Sequence, residues 1–326
     1  MKKLLQLLVP QYNETDKDIK PLLDSISIQQ GIDFNDIGVL IMNDGKPENV
    51  ISKTLLSSYN FDINYYLEEH RGIAGTRAAL YERSNSEYVM WCDSDDMFLN
   101  NCGLHIILSY IKDRGFEVLH GQFVEQSPLP NGDSAFITRD HESVFVHGKV
   151  FSRKFLDDND IKWNPNLTYH EDHNFITLAL SCAENRIYYD NPIYLYRWRD
   201  NSLVREDPMW VMKTYHYLLD SNEDLIEKLI AHFKFYNAQL MVSKSIYDTY
   251  FELCKPYWDS EENKFYKDRV EKRFKEYYLK YKDIFEELDI ESRAELIEKL
   301  KIANAKKMKF FEKITFYDWI KHIEEL

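Results

Sequence analysis

The segment YVMWCDSDDMF, residues 88–98, places a strongly apolar run directly before a cluster of acidic residues. The apolar part predicts a buried β-strand, and Asp93, Asp95 and Asp96 follow it within four positions. Carboxylates this close repel one another, so their charge must be offset. A solvated surface loop offsets it, and so does a divalent cation. The segment alone leaves both interpretations open.

Strand-like and helix-like runs alternate on the N-terminal side of this segment. Strands are predicted at 4–9, 37–42, 63–67 and 88–92, and helices at 16–30, 47–59, 73–83 and 100–112. Strands that are apolar on both faces and alternate with helices indicate an α/β fold with a mostly parallel, Rossmann-like sheet flanked by helices. Polar residues follow the first, second and fourth strands, and ligands bind at that edge of such sheets.

The rest of the chain divides into a second strand-rich part and a helical region. Strands are predicted at 118–125, 135–146, 187–189 and 194–198, a short helix within HGKVFSRKFLDDND (147–160), and a longer one beginning at HEDHNF (170–175). Glu171 and Asp172 lie in the first turn of that helix, where its dipole favours negative charge. We predict two domains, a catalytic one at 1–205 and a helical C-terminal region at 206–326.

Composition limits the possible partners. The chain has 326 residues and a formal net charge of −14, whereas nucleic-acid binders usually carry a basic excess. Its four cysteines lie far apart and lack zinc-site spacing. This pattern indicates free thiols in a reducing compartment. No apolar run reaches membrane-spanning length. We therefore expect a soluble, cytoplasmic protein.

Six motifs, taken in order, resemble the family 2 glycosyltransferases of the GT-A fold. They are LLVPQYNE, IMNDG, HRGIAGTRAAL, YVMWCDSDD, HGKVFSRKFL and HEDHNF, and the resemblance extends over about residues 3–200. It implies a GT-A-type fold, a nucleotide-diphospho-sugar donor, most often a UDP-sugar, a Mn²⁺ or Mg²⁺ cofactor and inversion at the anomeric carbon. It also implies a hydroxyl acceptor, with a glycan as the expected one.

The resemblance also implies roles for individual residues. The nucleotide-sugar would contact Pro10, Tyr12, Glu14, Asp44, Arg77, Asp93 and Ser94. Asp93 and Asp95 would form the DxD metal pair, Asp95 being the more direct ligand, and Asp172 would be the general base. Asp96 and Glu171 would contact the acceptor or the diphosphate, and Asp96 could instead belong to the structure of the turn. The chain departs from the family pattern at Asn43, Lys46, His70 and Ala78. These departures concern the identity of the nucleotide's base and the nucleotide contacts, and not the metal pair.

Histidine and arginine near these motifs have two interpretations each. His173, beside the acidic pair, is either a further metal ligand or a packing residue. Arg197 and Arg199 either bind the diphosphate or an anionic acceptor, or form ion pairs with acidic side chains. Neither choice is settled by the sequence.

The C-terminal region ends in KLKIANAKKMKFFEKITFYDWI (299–320), which combines lysines with large apolar residues. Such a helix either lies peripherally on an anionic membrane surface or packs its apolar face against the protein.

Three functions compete with the metal-dependent transferase. A catalytically silent nucleotide- or glycan-binding protein could keep the same fold. A sugar transferase acting on modified DNA bases is disfavoured by the acidic balance. A nucleotidyltransferase would require a glycine-rich, basic phosphate loop, which VPQYNETDKD (9–18) is not.

Overall fold

The computed structural model describes residues 2–199, 207, 209–307 and 314–326. The chain forms two compact units, residues 1–200 and 201–326. The boundary lies close to the one that the composition indicates at 205/206.

Unit 1 contains the strands β1 (Leu5–Gln11), β2 (Ile37–Asp44), β3 (Asp62–Glu68), β4 (Tyr88–Trp91), β5 (Met97–Phe98), β6 (Val118–Pro128), β7 (Ser134–Arg139), β8 (Lys149–Ser152) and β9 (Arg186–Tyr196). Its helices are α1 (Asp16–Ser27), α2 (Lys53–Leu56), α3 (Gly72–Arg83), α4 (Gly103–Asp113), α5 (Arg153–Asp158) and α6 (Glu171–Cys182). Strands and helices alternate from β1 to β4, as predicted.

Within the described residues the strands form one mixed sheet in the order β3-β2-β1-β4-β8-β6-β9-β5, with β7 paired to β6. β3, β2, β1 and β4 are parallel to one another. Every residue of β1 and β2 is buried, which explains their unbroken apolar runs. The predicted α/β architecture with a mostly parallel sheet is therefore confirmed, and the carboxyl ends of β1, β2 and β4 meet at one edge.

The second half of the sheet brings antiparallel pairs. β8 pairs antiparallel with both β4 and β6, whereas β6 and β9 are parallel. The segment predicted as a short helix at 147–160 begins instead as strand β8, and only 153–158 is helical. The two strands predicted at 187–189 and 194–198 are one strand, β9, with register shifts opposite Gln122.

Gly148 explains the close approach of β8 to β6. It has a φ of 68°, and a Cβ atom there would lie 3.0 Å from the Gly121 carbonyl oxygen. The Gly121 amide in turn donates to the Gly148 carbonyl oxygen at 3.0 Å. This contact fixes the position of the preceding residue, His147.

The helix predicted at 47–59 is mostly absent. Residues 47–49 form a 3₁₀ turn, and only 53–56 are α-helical. The Asn43 side chain accepts a hydrogen bond from the Lys46 amide at 2.7 Å and donates to the Lys46 carbonyl oxygen at 2.8 Å. These local bonds compete with helical ones and hold a turn.

Unit 2 contains helices α7 (Trp210–Ala231), α8 (Phe235–Leu253), α9 (Lys264–Glu287), α10 (Ile290–Lys307) and α11 (Phe316–Glu325). Trp319 is 4% exposed, and its ring lies 4.8 Å from Phe274 and 5.4 Å from Tyr250. This end of the basic-aromatic segment therefore packs its apolar face within unit 2. Met308, Lys309, Phe310, Phe311 and Lys313 lie outside the described residues. No helix in the described part of the chain is long and apolar enough to cross a membrane.

Candidate active site at the carboxyl edge of the sheet

Arg77, on α3, connects the acidic segment after β4 with the start of α6. Its Nη2 atom donates to Asp93 Oδ1 at 3.1 Å, and its Nη1 atom donates to Glu171 Oε1 at 3.1 Å and to Asp172 Oδ1. The Arg77 side chain is 3% exposed. A buried guanidinium thus binds Asp93, which is 16 positions away in the chain, and Asp172, which is 95 positions away.

Burial and charge act in opposite directions on this cluster. Burial works to lower the pKa of Arg77, but the charges of Asp172, Asp93 and Glu171 overcome it, so Arg77 stays a cation. Burial raises the pKa of Asp172 well above its usual value, and the Arg77 charge opposes the rise. Asp172 is consequently a stronger proton acceptor than an exposed aspartate, while Arg77 favours its ionised form.

An aromatic wall supports Arg77. The guanidinium carbon lies 4.8 Å from the centroid of the Trp163 ring, and Trp163 stacks on Phe175 at 4.3 Å with an interplanar angle of 4°. Trp91 contacts both rings edge-on, at 5.4 Å and 5.1 Å. The apolar strand before the aspartates therefore also supports the arginine that binds Asp93.

Arg199 binds the second aspartate of the segment. Its Nη1 atom donates to Asp95 Oδ2 at 2.9 Å and to Glu14 Oε1 at 2.7 Å, and its side chain is 22% exposed. Arg197 stabilises the same loop, since its Nη1 donates to the Asp95 carbonyl oxygen and its amide to Asp96 Oδ1, each at 2.9 Å. Both arginines form bonds with the acidic segment.

Asp96 and His147 form a buried pair that the sequence did not reveal. Their side chains are 0% and 2% exposed, and His147 Nδ1 lies 3.6 Å from Asp96 Oδ2. Neither of these two atoms has a hydrogen-bond partner in the described part of the chain. Burial lowers the pKa of His147 to about 4, so the imidazole is neutral at physiological pH.

These residues bear on the expected metal ion. Asp93, Asp96 and His147 offer ligand atoms that all lie within 4.8 Å of one another, which is compatible with a divalent cation. Within the described ranges this cluster includes neither Asp95, which binds Arg199, nor His173, whose Nδ1 lies 3.3 Å from Thr177 Oγ1.

The ends of β1 and β2 form the other part of the edge. Asp44 Oδ1 accepts the Arg71 amide at 2.7 Å, and Asp44 Oδ2 lies 2.9 Å from His70 Nδ1. Tyr12 is 37% exposed, and its ring lies 5.2 Å from that of His70 and 4.7 Å from Lys46 Nζ. Pro10 and Ser94, also predicted to contact a nucleotide-sugar, are buried.

Sequence reasoning missed His147 and Trp163 as site residues. His147 belongs to the quoted motif HGKVFSRKFL, but the motif was interpreted as a helix leaving the sheet, which would have carried the histidine away. The glycine after it was the available signal, because a glycine between a histidine and a strand indicates a tight backbone approach. Nothing in the spacing around Trp163 indicated its stacking under Arg77.

Comparison with known proteins gives a consistent result. Residues 7–179, more than half of the chain, match the family model of glycosyl transferase family 2. Two curated relatives, both named uncharacterized glycosyltransferase, come from Rickettsia bellii and Rickettsia felis and are each 24% identical over 119 and 147 residues. These matches cover 36% and 45% of this chain but 16% and 23% of the relatives, so the chain spans less than a quarter of their length.

Solved structures share the fold at low identity. S. aureus TarS residues 1–349 superposes with a TM-score of 0.60 and 16% identity over 93% of this chain and 92% of that chain. The same fragment has been solved with UDP, at a TM-score of 0.59, and with UDP-GlcNAc, at 0.52. A mannosyltransferase from Pyrobaculum calidifontis, with GDP-Man and Mn²⁺, gives 0.50 at 15% identity over 70% of this chain and 65% of that one.

Proposed function

Because the chain belongs to glycosyl transferase family 2, we propose that it transfers a sugar, with inversion, from a UDP-sugar to a hydroxyl group of an acceptor, with a glycan as the expected acceptor. Asp172 is the proposed general base. The predicted divalent cation is part of this proposal.

The observation that carries the proposal is the Arg77 bridge. It connects Asp93, at the edge where α/β sheets bind nucleotides, with Asp172 on α6. Transfer to a hydroxyl requires a carboxylate that takes the acceptor proton next to a site that binds the donor diphosphate. Arg77 keeps the two in a fixed relation within unit 1.

The charges around the edge suit a nucleotide-diphospho-sugar. Arg199 is partly exposed beside Asp95, and a guanidinium matches a phosphate in shape and charge. A divalent cation supplies further positive charge next to the diphosphate when bound. Asp172 then accepts the proton of the acceptor hydroxyl as that oxygen attacks the anomeric carbon. The bond from this carbon to the diphosphate oxygen breaks at the same time, and the nucleoside diphosphate leaves with the electron pair.

The nucleoside is expected at the ends of β1 and β2. Tyr12 offers an exposed ring face for a base, next to Lys46. Asp44 Oδ1 accepts a hydrogen bond from the Arg71 amide, and Asp44 Oδ2 lies next to His70 Nδ1. The predicted contact of Asp44 with the nucleotide's base would therefore use Oδ2. The related structures contain UDP, UDP-GlcNAc and GDP-Man, which supports a nucleotide-sugar donor and defines the bases to compare.

A thermal-shift screen tests the donor. UDP-, GDP-, dTDP- and CMP-sugars are compared, each with Mn²⁺, Mg²⁺ or EDTA, because a ligand that binds only the folded state raises its stability. We expect the largest increase in melting temperature with a UDP-sugar and Mn²⁺. A larger shift with another nucleotide would overturn the choice of UDP.

A matched pair of variants tests whether Asp172 is the general base. Asp172→Asn is expected to lower transfer by about 10²–10⁴-fold while donor binding is retained, because it removes the proton acceptor without removing the nucleotide contacts. Glu171→Gln changes the neighbouring carboxylate on the same arginine and is expected to lower transfer by less than about tenfold.

Equal losses in the two variants would contradict the role of Asp172. Donor binding without hydrolysis or transfer to any acceptor in a glycan array would instead support the catalytically silent binding protein. Transfer only to DNA containing modified bases would support a sugar transferase that acts on such bases.

A further inference from the structure

The geometry points to a second binding site, in unit 2, for a small organic ammonium ion, that is, a protonated amine with a short apolar body. The site is a cavity lined by residues of α8, α9 and α11, and Glu271 is its charged anchor. It involves neither a sugar donor nor an acceptor, so it is independent of the proposed transfer reaction.

The cavity is large enough for such a ligand. Its volume is about 270 Å³, and its buried wall includes Leu253, Glu271 and Trp319. Lys267 and His322 also line it and are more exposed. Because an apolar cavity of about 150 Å³ can hold a benzene molecule, this one has room for a ligand of at least about six non-hydrogen atoms.

Glu271 is a buried carboxylate without a direct partner. It is 8% exposed, and among the described residues no hydrogen bond or ion pair is formed by its side chain. Burial raises the pKa of Glu271, and the charges of Lys267 and His322 oppose the rise without contacting the carboxylate. Since a buried charge without a partner is unfavourable, a ligand that brings a positive charge and hydrogen-bond donors to Glu271 would be bound favourably.

The charges around the cavity favour a cation over an anion. Lys267 Nζ lies 3.2 Å from Asp259 Oδ1, so these two charges compensate each other. Glu271 remains as the buried negative charge of the cavity wall. An anionic ligand would meet this carboxylate without compensation, whereas an ammonium group would neutralise it.

The expected cation is organic and not a metal ion. The cavity does contain residues of metal-binding types, namely Cys254, Asp259, Glu271 and His322. In the described ranges, however, three such groups come together at Asp93, Asp96 and His147, and not in this cavity. A metal ion requires several ligand atoms at once, whereas an ammonium group can be held by one carboxylate.

The remaining wall suits the apolar part of the ligand. Leu253, Ile314 and Trp319 line the cavity, and the Trp319 ring packs against that of Phe274 at 4.8 Å. An indole ring attracts a nearby cation as well as apolar atoms. The cavity therefore combines one buried negative charge with apolar and aromatic surface, which is the complement of an alkylammonium ion.

Saturation-transfer NMR on the full-length protein at neutral pH tests the site. The probes are pentylamine, pentanol and pentanoate, which share a chain length and differ in charge. We expect pentylammonium to bind with a dissociation constant of about 1 mM or lower, at least about tenfold more tightly than pentanol, and pentanoate to bind more weakly than either. Lengthening the amine from butyl to hexyl should strengthen binding by about threefold per methylene.

A matched pair of glutamate variants tests the anchor. Glu271→Gln keeps the shape of the side chain and removes its charge, so it should weaken pentylammonium binding by about tenfold or more and leave pentanol binding unchanged. Glu276→Gln is the same substitution at an exposed position of α9. It should bind all three probes as the wild type does.

Equal binding of pentylammonium and pentanol would overturn the assignment, and so would tighter binding of pentanoate, no binding of the amine up to about 20 mM, or unchanged amine binding by Glu271→Gln. If Glu271→Gln fails to fold, the three probes on the wild type still decide whether the cavity selects a cation. A protein that binds pentylammonium but transfers no sugar would keep this site and lose the proposed function alone.

Discussion

Arg77 and Arg199 each bind one aspartate of the 93–96 segment, but they differ in burial. Arg77 is 3% exposed and binds Asp93, Glu171 and Asp172, whereas Arg199 is 22% exposed and binds Asp95 and Glu14. Arg77 stands on a helix between strands of the parallel sheet, and Arg199 follows the end of β9. The same type of ion pair therefore occurs in two different environments.

The difference indicates a division of labour. A buried guanidinium that loses its place leaves several carboxylates without compensation in a medium of low polarity, so Arg77 is fixed. A partly exposed ion pair contributes little to stability, because water and salt screen it, so Arg199 is free to exchange a carboxylate for a phosphate. We infer that Arg77 maintains the geometry of the site and that Arg199 meets the substrate.

The largest expected effect is that of Arg77→Gln. This variant should lower the free energy of unfolding by about 3–5 kcal/mol, because it removes a buried cation and leaves Asp93, Glu171 and Asp172 as a partly buried group of like charges. Urea unfolding followed by tryptophan fluorescence measures the change, and the nearby Trp163 makes the signal sensitive to this region.

Arg77→Lys is the control for charge. A lysine keeps the positive charge but cannot place two nitrogen atoms on separate carboxylates, so it should recover only part of the lost stability. If the free energy of unfolding of Arg77→Gln lies within about 1 kcal/mol of the wild-type value, Arg77 does not maintain the structure of the site.

Lys149 extends the comparison to a buried ammonium group. It is fully buried, its Nζ donates to the Phe145 carbonyl oxygen at 2.7 Å, and burial, opposed by the Glu142 charge, lowers its pKa to about 8. Between pH 8 and pH 10.5 Lys149 is protonated in a larger fraction of unfolded chains than of folded chains. The contribution of Lys149 to stability therefore rises with pH over this range. An arginine would remain charged throughout this range.

The measurement is the free energy of unfolding of the wild type relative to Lys149→Met at several pH values. The difference should shift in favour of the wild type as the pH rises from about 8 to about 10, by no more than about 3 kcal/mol. At pH 7 and below it should be constant. A difference that stays constant over the alkaline range as well would mean that Lys149 titrates alike in the folded and unfolded chains.

The parallel half of the sheet could be predicted because β1, β2 and β4 are apolar runs that alternate with helical segments. Both signals are local, and they place the ends of β1, β2 and β4 at one edge. The helix after residue 47 could not be predicted correctly, since its turn depends on side-chain bonds of Asn43 that no periodicity shows.

Partners in the site were harder to predict than the site itself. The motifs bring Asp93, Asp172 and Arg77 to one region, but which carboxylate binds which arginine depends on contacts between residues up to 104 positions apart. His147 was lost for a related reason, because strand β8 has only four residues and pairs with strands distant in sequence. A short strand carries too little periodicity to be distinguished from the start of a helix.

The smallest expected change in stability is that of Arg199→Met, and this variant is the sharpest test of the comparison. It should alter the free energy of unfolding by less than about 1 kcal/mol, because Glu14 and Asp95 remain partly solvated at 16% and 23% exposure. It should nevertheless weaken binding of the UDP-sugar by roughly tenfold or more, since a charged hydrogen bond to the diphosphate is worth about 1.5–3 kcal/mol.

Calorimetric titration with the donor and urea unfolding of the same preparation measure both quantities together. Arg199→Lys keeps the charge without the bridging geometry, so its donor affinity should lie between those of the wild type and Arg199→Met. A large loss of stability with unchanged donor affinity would place Arg199 in the same class as Arg77. In that case Arg77 and Arg199 would both stabilise the fold, and other positively charged groups at the edge of the sheet would have to bind the diphosphate.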